Sequence, residues 1–236
     1  MFNLKNFLVE FIGTFALVFI GAAATVVNAG LVGIALACGF TLAVFHYAYG
    51  HISGAHINPA VTFGMVLNGA LTWGEAVVYW LAQFAGAAAG AAFLHYAVTP
   101  AGGSLDPAAT IGVLTESQPI WAMLIEIVLT FFLMNTILQT VVAGRGGNMG
   151  GLAVGMTFSI SILAGGLLTG ASLNPARTFG PALFFEPSLA DPYTYVIYFF
   201  GPLLGATLAV MLNNFLNPTE DEEDEEEMEE IEDDVE

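Results

Sequence analysis

The sequence contains few charged residues and a single cysteine. Of its 236 residues, three are Lys or Arg and 10% are charged in total. The lone Cys38 excludes an internal disulfide and a cysteine-rich metal site. The four histidines do not follow metal-ligand spacing, and they are His46, His51, His56 and His95. No catalytic constellation is evident, so we expect no enzymatic activity, metal, cofactor or nucleic-acid partner.

The acidic residues are concentrated at the end of the chain. The formal net charge is -18, and 14 of the 21 Asp and Glu residues lie between Glu220 and Glu236. The rest of the chain is therefore nearly neutral. Because like charges repel and this run lacks the apolar content of a core, we predict that residues 217–236 form a disordered acidic tail.

Long apolar runs occupy the nearly neutral part of the chain. Hydrophobic residues make up 56% of the sequence and the mean hydropathy is +0.75. A helix needs about 20 apolar residues to cross a bilayer, and six such runs are found, at residues 7–27, 31–49, 73–98, 120–142, 149–168 and 193–216. The first run is too long for a signal peptide. The pattern predicts an all-α membrane protein with six transmembrane helices.

Two matching stretches interrupt the apolar pattern, at residues 56–64 and 172–180. Each contains Asn-Pro-Ala, which is typical of a helix start because Asn caps free N–H groups and Pro suits the first helical position. The predicted helices, residues 58–68 and 174–185, have about half the length needed to cross a bilayer. Lipid cannot satisfy the free N–H groups of a helix start, so these re-entrant half-helices must face protein or a water-filled cavity.

The two stretches belong to an internal repeat with an offset of 116 residues. The matching pairs are Glu10/Glu126, Thr14/Thr130, Gly39/Gly155, Thr41/Thr157, Gly54/Gly170, Phe63/Phe179 and Gly64/Gly180. Three spans in each half is an odd number, so the halves are predicted to be inverted in the membrane. We expect a first repeat over residues 1–116 and a second over 117–216. Broken helices at matching positions of inverted repeats indicate a binding or permeation site near the bilayer midplane.

The motifs resemble those of the aquaporin family, the major intrinsic proteins, which include water channels and glycerol facilitators. The resemblance rests on the two Asn-Pro-Ala boxes, on residues 53–56 before the first box and on Arg177 after the second. It extends over about residues 10–216. It implies an aquaporin-like fold and a passive channel for water and small uncharged solutes that excludes protons and ions. It also implies a homotetramer in the cell membrane with one pore in each subunit.

The resemblance assigns the central pore residues to the two boxes, Asn58, Pro59, Ala60, Asn174, Pro175 and Ala176. As helix caps, the two Asn side chains use their oxygens on backbone N–H groups, which leaves the NH2 groups to donate to a permeant. The positive ends of the two half-helix dipoles repel cations at the same place.

Four positions correspond to the narrowest point of the family's pore, and they are Cys38, Ile162, Ala171 and Arg177. Water-selective members usually have Phe and His at the first two positions, whereas glycerol facilitators usually have two aromatic residues and a Gly. This chain keeps the Arg alone, which predicts a wider opening. Thr178, Ala182 and Tyr198 instead resemble the water type. Two interpretations stay open, a water channel that leaks small neutral solutes and a glycerol- or metalloid-type facilitator.

Carbonyl groups are expected to line the pore at the two non-helical loops before the boxes. By resemblance these loops contain Gly54, Ala55, His56 and Ile57 in the first half and Gly170, Ala171, Ser172 and Leu173 in the second. Carbonyl acceptors opposite an apolar wall suit a polar, uncharged permeant. His56 has two interpretations, a buried packing residue or a pH-sensitive gate.

Glu10 and Glu126 are acidic residues inside predicted spans, where a carboxylate needs partners. Their equal position in the two repeats favours a role as acceptors for the free N–H groups of the re-entrant loops. The alternative is a proton-coupled secondary transporter in which they carry protons. Lys5 and Arg145 fall on one side of the predicted topology, which makes that side cytoplasmic and places both termini there.

Overall fold

The computed structural model describes residues 3–102, 110–184 and 188–218. In these ranges the helices are α1 (Leu4–Val26), α2 (Gly30–Ser53), α3 (Pro59–Leu67), α4 (Trp73–Val98), α5 (Val113–Ser117), α6 (Pro119–Thr136), α7 (Gly150–Thr169), α8 (Pro175–Ala182), α9 (Pro192–Tyr195) and α10 (Gly201–Leu216). The predicted disordered tail lies outside the described residues from position 219 onward. No strand is found in the described part of the chain.

Six helical segments are long and apolar enough to cross a bilayer. They are Leu4–Val26, Gly30–Ser53, Trp73–Val98, Pro119–Val142, Gly147–Thr169 and Pro192–Leu216. Their outer surfaces are apolar. On α2, for example, four large side chains spaced four residues apart are exposed, and they are Val32, Leu36, Phe40 and Val44. Such a stripe lies on one helix face and suits contact with lipid. The all-helical prediction and the six predicted spans are confirmed.

Close helix packing in the core depends on small residues related by the repeat. A Cβ atom built on Gly39 of α2 would lie 2.4 Å from the carbonyl oxygen of Gly155 on α7, and one built on Gly155 would lie 2.4 Å from that of Gly39. The two backbones can approach this closely because neither residue has a side chain. This contact brings α2 and α7 together at the centre of the molecule.

The two half-helices begin at the predicted places and are slightly shorter than predicted. Asn58 and Asn174 cap α3 and α8, and each is followed by Pro at the first helical position. α3 ends at Leu67 and α8 ends at Ala182. The last residue of the second predicted half-helix, Phe185, lies outside the described residues.

The chain between the halves contains an element that the sequence reading missed. No apolar run of transmembrane length lies between residues 98 and 120, yet residues 113–117 form the short helix α5. The hydroxyl of Thr115 accepts from the backbone N–H of Gly112 at its start and contacts the hydroxyl of Tyr198 at 2.8 Å. A tertiary contact therefore holds this segment against the sixth span, and no local sequence pattern predicts it.

Candidate functional site

The starts of α3 and α8 meet inside the molecule. Asn58 Oδ1 accepts from the N–H of Ala60 at 2.9 Å, and Asn174 Oδ1 accepts from the N–H groups of Ala176 at 3.0 Å and Arg177 at 3.2 Å. These bonds satisfy helix-start N–H groups that have no partner within the helix. Both side-chain oxygens are therefore engaged in capping, as expected.

The two Asn side chains also bind the opposite loop. Asn58 Nδ2 donates to the carbonyl of Leu173 at 2.8 Å, and Asn174 Nδ2 donates to the carbonyl of Ile57 at 2.8 Å. The prediction that both NH2 groups are free to bind a permeant is therefore wrong in part, because each already donates one hydrogen bond. Each group has two hydrogens, so one joins the two halves and one remains to donate to a molecule at the junction.

The loops that precede the half-helices have an unusual backbone that repeats in both halves. Ala55, Ile57, Ala171 and Leu173 all have φ between 44° and 55°. Non-glycine residues in this left-handed region cost about 1–3 kcal/mol each and persist only where their surroundings hold them. Alternate residues in this conformation reorient successive carbonyl groups, and the strain needs a specific support.

Glu10 supplies this support in the first half. Its Oε1 accepts from the hydroxyl of Ser53 at 2.7 Å and from the N–H of His56 at 2.9 Å. Its Oε2 accepts from the N–H of Ile57 at 2.6 Å and from the amide of Gln83 at 2.8 Å. Glu10 is completely buried, and all four of these partners donate to it.

Glu126 makes the equivalent contacts in the second half. Its Oε1 accepts from the hydroxyl of Thr169 at 2.7 Å and from the N–H of Ser172 at 2.9 Å, and its Oε2 accepts from the N–H of Leu173 at 2.7 Å. Each of these three donors lies 116 residues after its counterpart at Glu10. The same hydrogen-bonded support is thus built twice.

Arg177 follows the second box and is held by backbone carbonyls. Its Nη1 donates to the carbonyls of Ala171 at 2.9 Å and Gly170 at 3.3 Å, and the guanidinium lies 5.9 Å from the centre of the Phe158 ring. Within the described ranges no carboxylate pairs with it. Glu186, an acidic residue nine positions further along the chain, lies outside those ranges. The guanidinium also lies within hydrogen-bond reach of the Cys38 thiol. Its five N–H groups outnumber these partners, so N–H groups remain for a molecule beside it.

Two wide cavities open at opposite ends of the helix bundle, and the repeat relates one to the other. The cavity beside Arg177 has a volume of about 270 Å³, and the cavity beside the link between α6 and α7 has about 530 Å³. We call them the arginine mouth and the glycine mouth. Residues that line the two mouths pair at the offset of 116, and these pairs are Thr25/Val141, Asn28/Gly144, Leu31/Gly147, Ile34/Gly150, Ile162/His46, Gly166/Gly50, Leu167/His51 and Gly170/Gly54.

A narrow cell lies at the Asn junction. It is lined by both box asparagines, by His46 and His56 and by apolar side chains, and its volume of about 10 Å³ has room for about one water molecule. Leu17 borders both this cell and the arginine mouth, and His46 borders both this cell and the glycine mouth. The cell and the two mouths together mark a path through the molecule.

The four predicted constriction residues occupy different places on this path. Ile162 and Arg177 line the arginine mouth. Ala171 is buried and contributes its carbonyl oxygen to Arg177. Cys38 is a free thiol with 0% exposure, and its Sγ would lie 2.8 Å from a Cβ atom built on Gly21, which itself lines the mouth. The thiol therefore lies behind the surface of the mouth.

We expect mercuric ion to inhibit transport slowly, because the buried Cys38 thiol reacts only when its neighbours move aside. Cys38→Ser should remove the inhibition completely, since the chain has one cysteine. The measurement is the water permeability of proteoliposomes as a function of incubation time with mercuric chloride. Equal inhibition in the Cys38→Ser variant would show that mercury acts elsewhere.

Leu17 and His46 are among the residues of the path that no sequence motif identified. Both lie within long apolar runs and belong to no recognisable motif. The offset of 116 could have identified them, because it relates Leu17 to Leu133 and His46 to Ile162, which was already a candidate. Three of these four residues, Leu17, Leu133 and His46, border the narrow cell.

Comparisons with known proteins match this architecture over nearly the whole chain. The family described as Major intrinsic protein matches residues 1–213. The chain is 36% identical to "Aquaporin TIP2-1" of Arabidopsis thaliana, covering 92% of this chain and 90% of that protein. It is 38% identical to "Aquaporin NIP1-4" of Oryza sativa subsp. japonica, covering 92% and 79%.

A solved structure has the same fold. The X-ray structure of the aquaglyceroporin from Plasmodium falciparum superimposes with a TM-score of 0.76 at 23% identity, covering 91% of this chain and 97% of that one. With six apolar helices and these relatives, the protein is an integral membrane protein. The family match and the relatives lead to one conclusion: the chain belongs to the major intrinsic protein family.

Proposed function

We propose that this protein is a passive channel for water and small uncharged solutes that excludes ions and protons. The observation that carries the proposal is the junction of α3 and α8. There the two Asn side chains hold the opposite loops together and keep one N–H each for a permeant, in a cell with room for about one water molecule. Relatives named as aquaporins support the same function.

The junction explains how water could pass while protons do not. The helix starts of α3 and α8 direct positive dipole ends towards the cell, which disfavours cations including hydronium. The remaining N–H groups of Asn58 and Asn174 donate to the oxygen of a water molecule. A water whose oxygen is held by two donors cannot readily accept a further proton from its neighbour in the file.

A coupled transporter would need a carboxylate free to bind protons or substrate on the path. All four carboxylate oxygens of Glu10 and Glu126 accept hydrogen bonds from the loops or from neighbouring side chains. We assign both residues to holding the strained loops in place. This favours a pore that dissipates gradients over a proton-coupled mechanism.

Size and polarity of the path favour small neutral solutes besides water. Ile162 and Arg177 face a mouth of about 270 Å³, and neither Cys38 nor Ala171 adds bulk to it. We propose that small uncharged solutes such as glycerol, urea, ammonia or neutral metalloid acids also pass through the channel. A glycerol- or metalloid-type facilitator remains the second candidate, and the fold shared with an aquaglyceroporin is compatible with it.

The remaining assignments follow from the family and from the predicted topology. We infer a homotetramer with one pore per subunit in the cell membrane, built from repeats over residues 1–116 and 117–216. Lys5 and Arg145 place the glycine mouth, both termini and the acidic tail on the cytoplasmic side. The proposed role is transport, with no chemical conversion of the permeant.

We expect proteoliposomes containing the protein to shrink in an impermeant osmolyte at least about tenfold faster than empty liposomes, which corresponds to a barrier lower by about 1.4 kcal/mol. Stopped-flow light scattering measures this rate. In a glycerol gradient, fast shrinkage followed by accelerated re-swelling indicates that glycerol also passes. Re-swelling at the rate of empty liposomes indicates a channel specific for water.

Two controls separate the channel from its alternatives. A potassium gradient with a potential-sensitive dye should give no signal above that of empty liposomes, because the pore excludes ions. Water flux should increase linearly with the osmotic gradient and should not respond to an imposed pH gradient. Flux that requires a pH gradient would favour the coupled transporter, and shrinkage no faster than in empty liposomes would contradict the channel.

A further inference from the structure

His46 occupies a position on the path that no other histidine shares within the described residues. It borders both the narrow cell at the Asn junction and the glycine mouth. The cell has a volume of about 10 Å³ and the mouth about 530 Å³. The His46 side chain therefore stands where the path changes from a width of about one water molecule to a wide opening.

The internal repeat gives His46 a defined counterpart. The offset of 116 pairs it with Ile162, which lines the arginine mouth. The polar residues of the two halves lie at different positions of the repeat. His46 pairs with the apolar Ile162, and Arg177 pairs with the apolar Val61, which lines the narrow cell. Arg177 thus lies on the side of the arginine mouth, and His46 lies between the narrow cell and the glycine mouth. The second histidine of the cell, His56, has its Nδ1 3.1 Å from the hydroxyl of Thr62.

The hydrogen bond of His46 defines what its ring can offer to a permeant. Its Nδ1 lies 3.1 Å from the carbonyl oxygen of Leu42 in the preceding turn. A carbonyl only accepts, so Nδ1 must donate to it, and in a neutral ring Nε2 is then an acceptor. The described residues provide no hydrogen-bond partner for Nε2.

A permeant that moves along the path therefore meets hydrogen-bond donors first and a hydrogen-bond acceptor afterwards. Arg177 and the two Asn side chains can only donate to a permeant through their N–H groups, whereas neutral His46 accepts through Nε2. A permeant that accepts at the junction and donates at His46 makes both contacts at once. Water, urea, ammonia and hydroxylated solutes have both capacities, and a molecule without polar hydrogens has only one.

We propose that His46 is the residue that determines size and hydrogen-bond selectivity on the side of the Asn junction opposite Arg177. Its ring closes the narrow cell against bulky solutes, and its free nitrogen accepts a hydrogen from the molecule in the cell. The wide arginine mouth then admits solutes that His46 rejects. The proposal rests on the channel function proposed above.

The test compares water and glycerol permeabilities of proteoliposomes for matched variants. His46→Ala opens the cell towards the glycine mouth, and we expect the glycerol-to-water ratio to rise about tenfold. His46→Phe keeps a ring and removes the acceptor. Because a hydrogen bond is worth about 0.5–1.5 kcal/mol and 1.4 kcal/mol is tenfold in rate, we expect water permeability to fall up to about tenfold while glycerol permeability does not rise above that of the wild type.

Two further variants serve as comparisons. His95→Ala changes a histidine that borders neither the narrow cell nor the two mouths, and its glycerol-to-water ratio should stay within about twofold of the wild type. Ile162→Ala enlarges the corresponding place in the arginine mouth, and its effect on the ratio should be smaller than that of His46→Ala. If His46→Ala does not fold, the glycerol-to-water ratio is measured for His46→Asn, which has a smaller polar side chain and should also raise the ratio.

The outcomes separate this inference from the proposed function. A wild-type protein that conducts water, with His46 variants whose ratios equal the wild-type ratio, overturns the role of His46 and leaves the channel intact. A larger effect of Ile162→Ala than of His46→Ala also overturns it, because selectivity then lies at the arginine mouth. A wild-type protein that conducts neither solute removes both proposals together.

Discussion

Glu10→Ala is expected to destabilise the protein so strongly that the folded pore is lost. Four donors lose their buried acceptor in this variant, and they are Ser53 Oγ, Gln83 Nε2 and the N–H groups of His56 and Ile57. An unsatisfied buried donor costs about 1–3 kcal/mol, so the loss amounts to several kcal/mol. The left-handed residues of the loop also lose their support. Thermal unfolding in detergent, followed by tryptophan fluorescence, measures the effect.

The repeat offers an internal comparison for this prediction. Glu126→Ala removes the acceptor of three donors, so it should be destabilising but less so than Glu10→Ala. Glu75→Ala removes an acidic residue that caps α4 at an exposed position, and it should cost about 1 kcal/mol, as helix caps do. A Glu10→Ala protein that unfolds at the wild-type temperature and conducts water would contradict the anchoring role.

Arg177→Val is expected to raise proton permeability by about one to two orders of magnitude while water still passes. The variant gives the second box the residue that stands in the first, since Val61 occupies the matching position. A unit charge at 4 Å contributes up to about 4 kcal/mol at an effective dielectric constant of 20. Removing it leaves the two helix dipoles as the remaining positive field. Dye-loaded proteoliposomes in a pH gradient measure the leak.

Two variants separate the charge of Arg177 from its shape. Arg177→Lys keeps the charge and loses the planar fork that reaches the carbonyls of Gly170 and Ala171, so proton exclusion should persist. Arg145→Val makes the same replacement at an exposed arginine that donates to Gln139 and Asn217, and it should leave proton permeability unchanged. Proton exclusion that survives in Arg177→Val would assign the barrier to the Asn junction and its dipoles alone.

Local patterns in the sequence determined the helices and their starts. The length of each apolar run sets a transmembrane span because a helix rises 1.5 Å per residue through a core of about 30 Å. Asn58-Pro59 and Asn174-Pro175 specify helix starts through short-range capping and a restricted backbone. The equal spacing of Glu10 and Glu126 indicated their shared environment, because a repeated sequence builds the same contacts twice.

Contacts between distant segments were decided by tertiary packing. No local pattern shows that the amide of Asn58 reaches the carbonyl of Leu173, 115 residues away. The burial of the Cys38 thiol behind Gly21 depends on how α1 packs against α2. The place of His46 at the narrow cell depends equally on packing. These three features depend on where a side chain points relative to a neighbouring helix. That direction is determined by how the helices pack in the folded protein and not by the residues next to it in sequence.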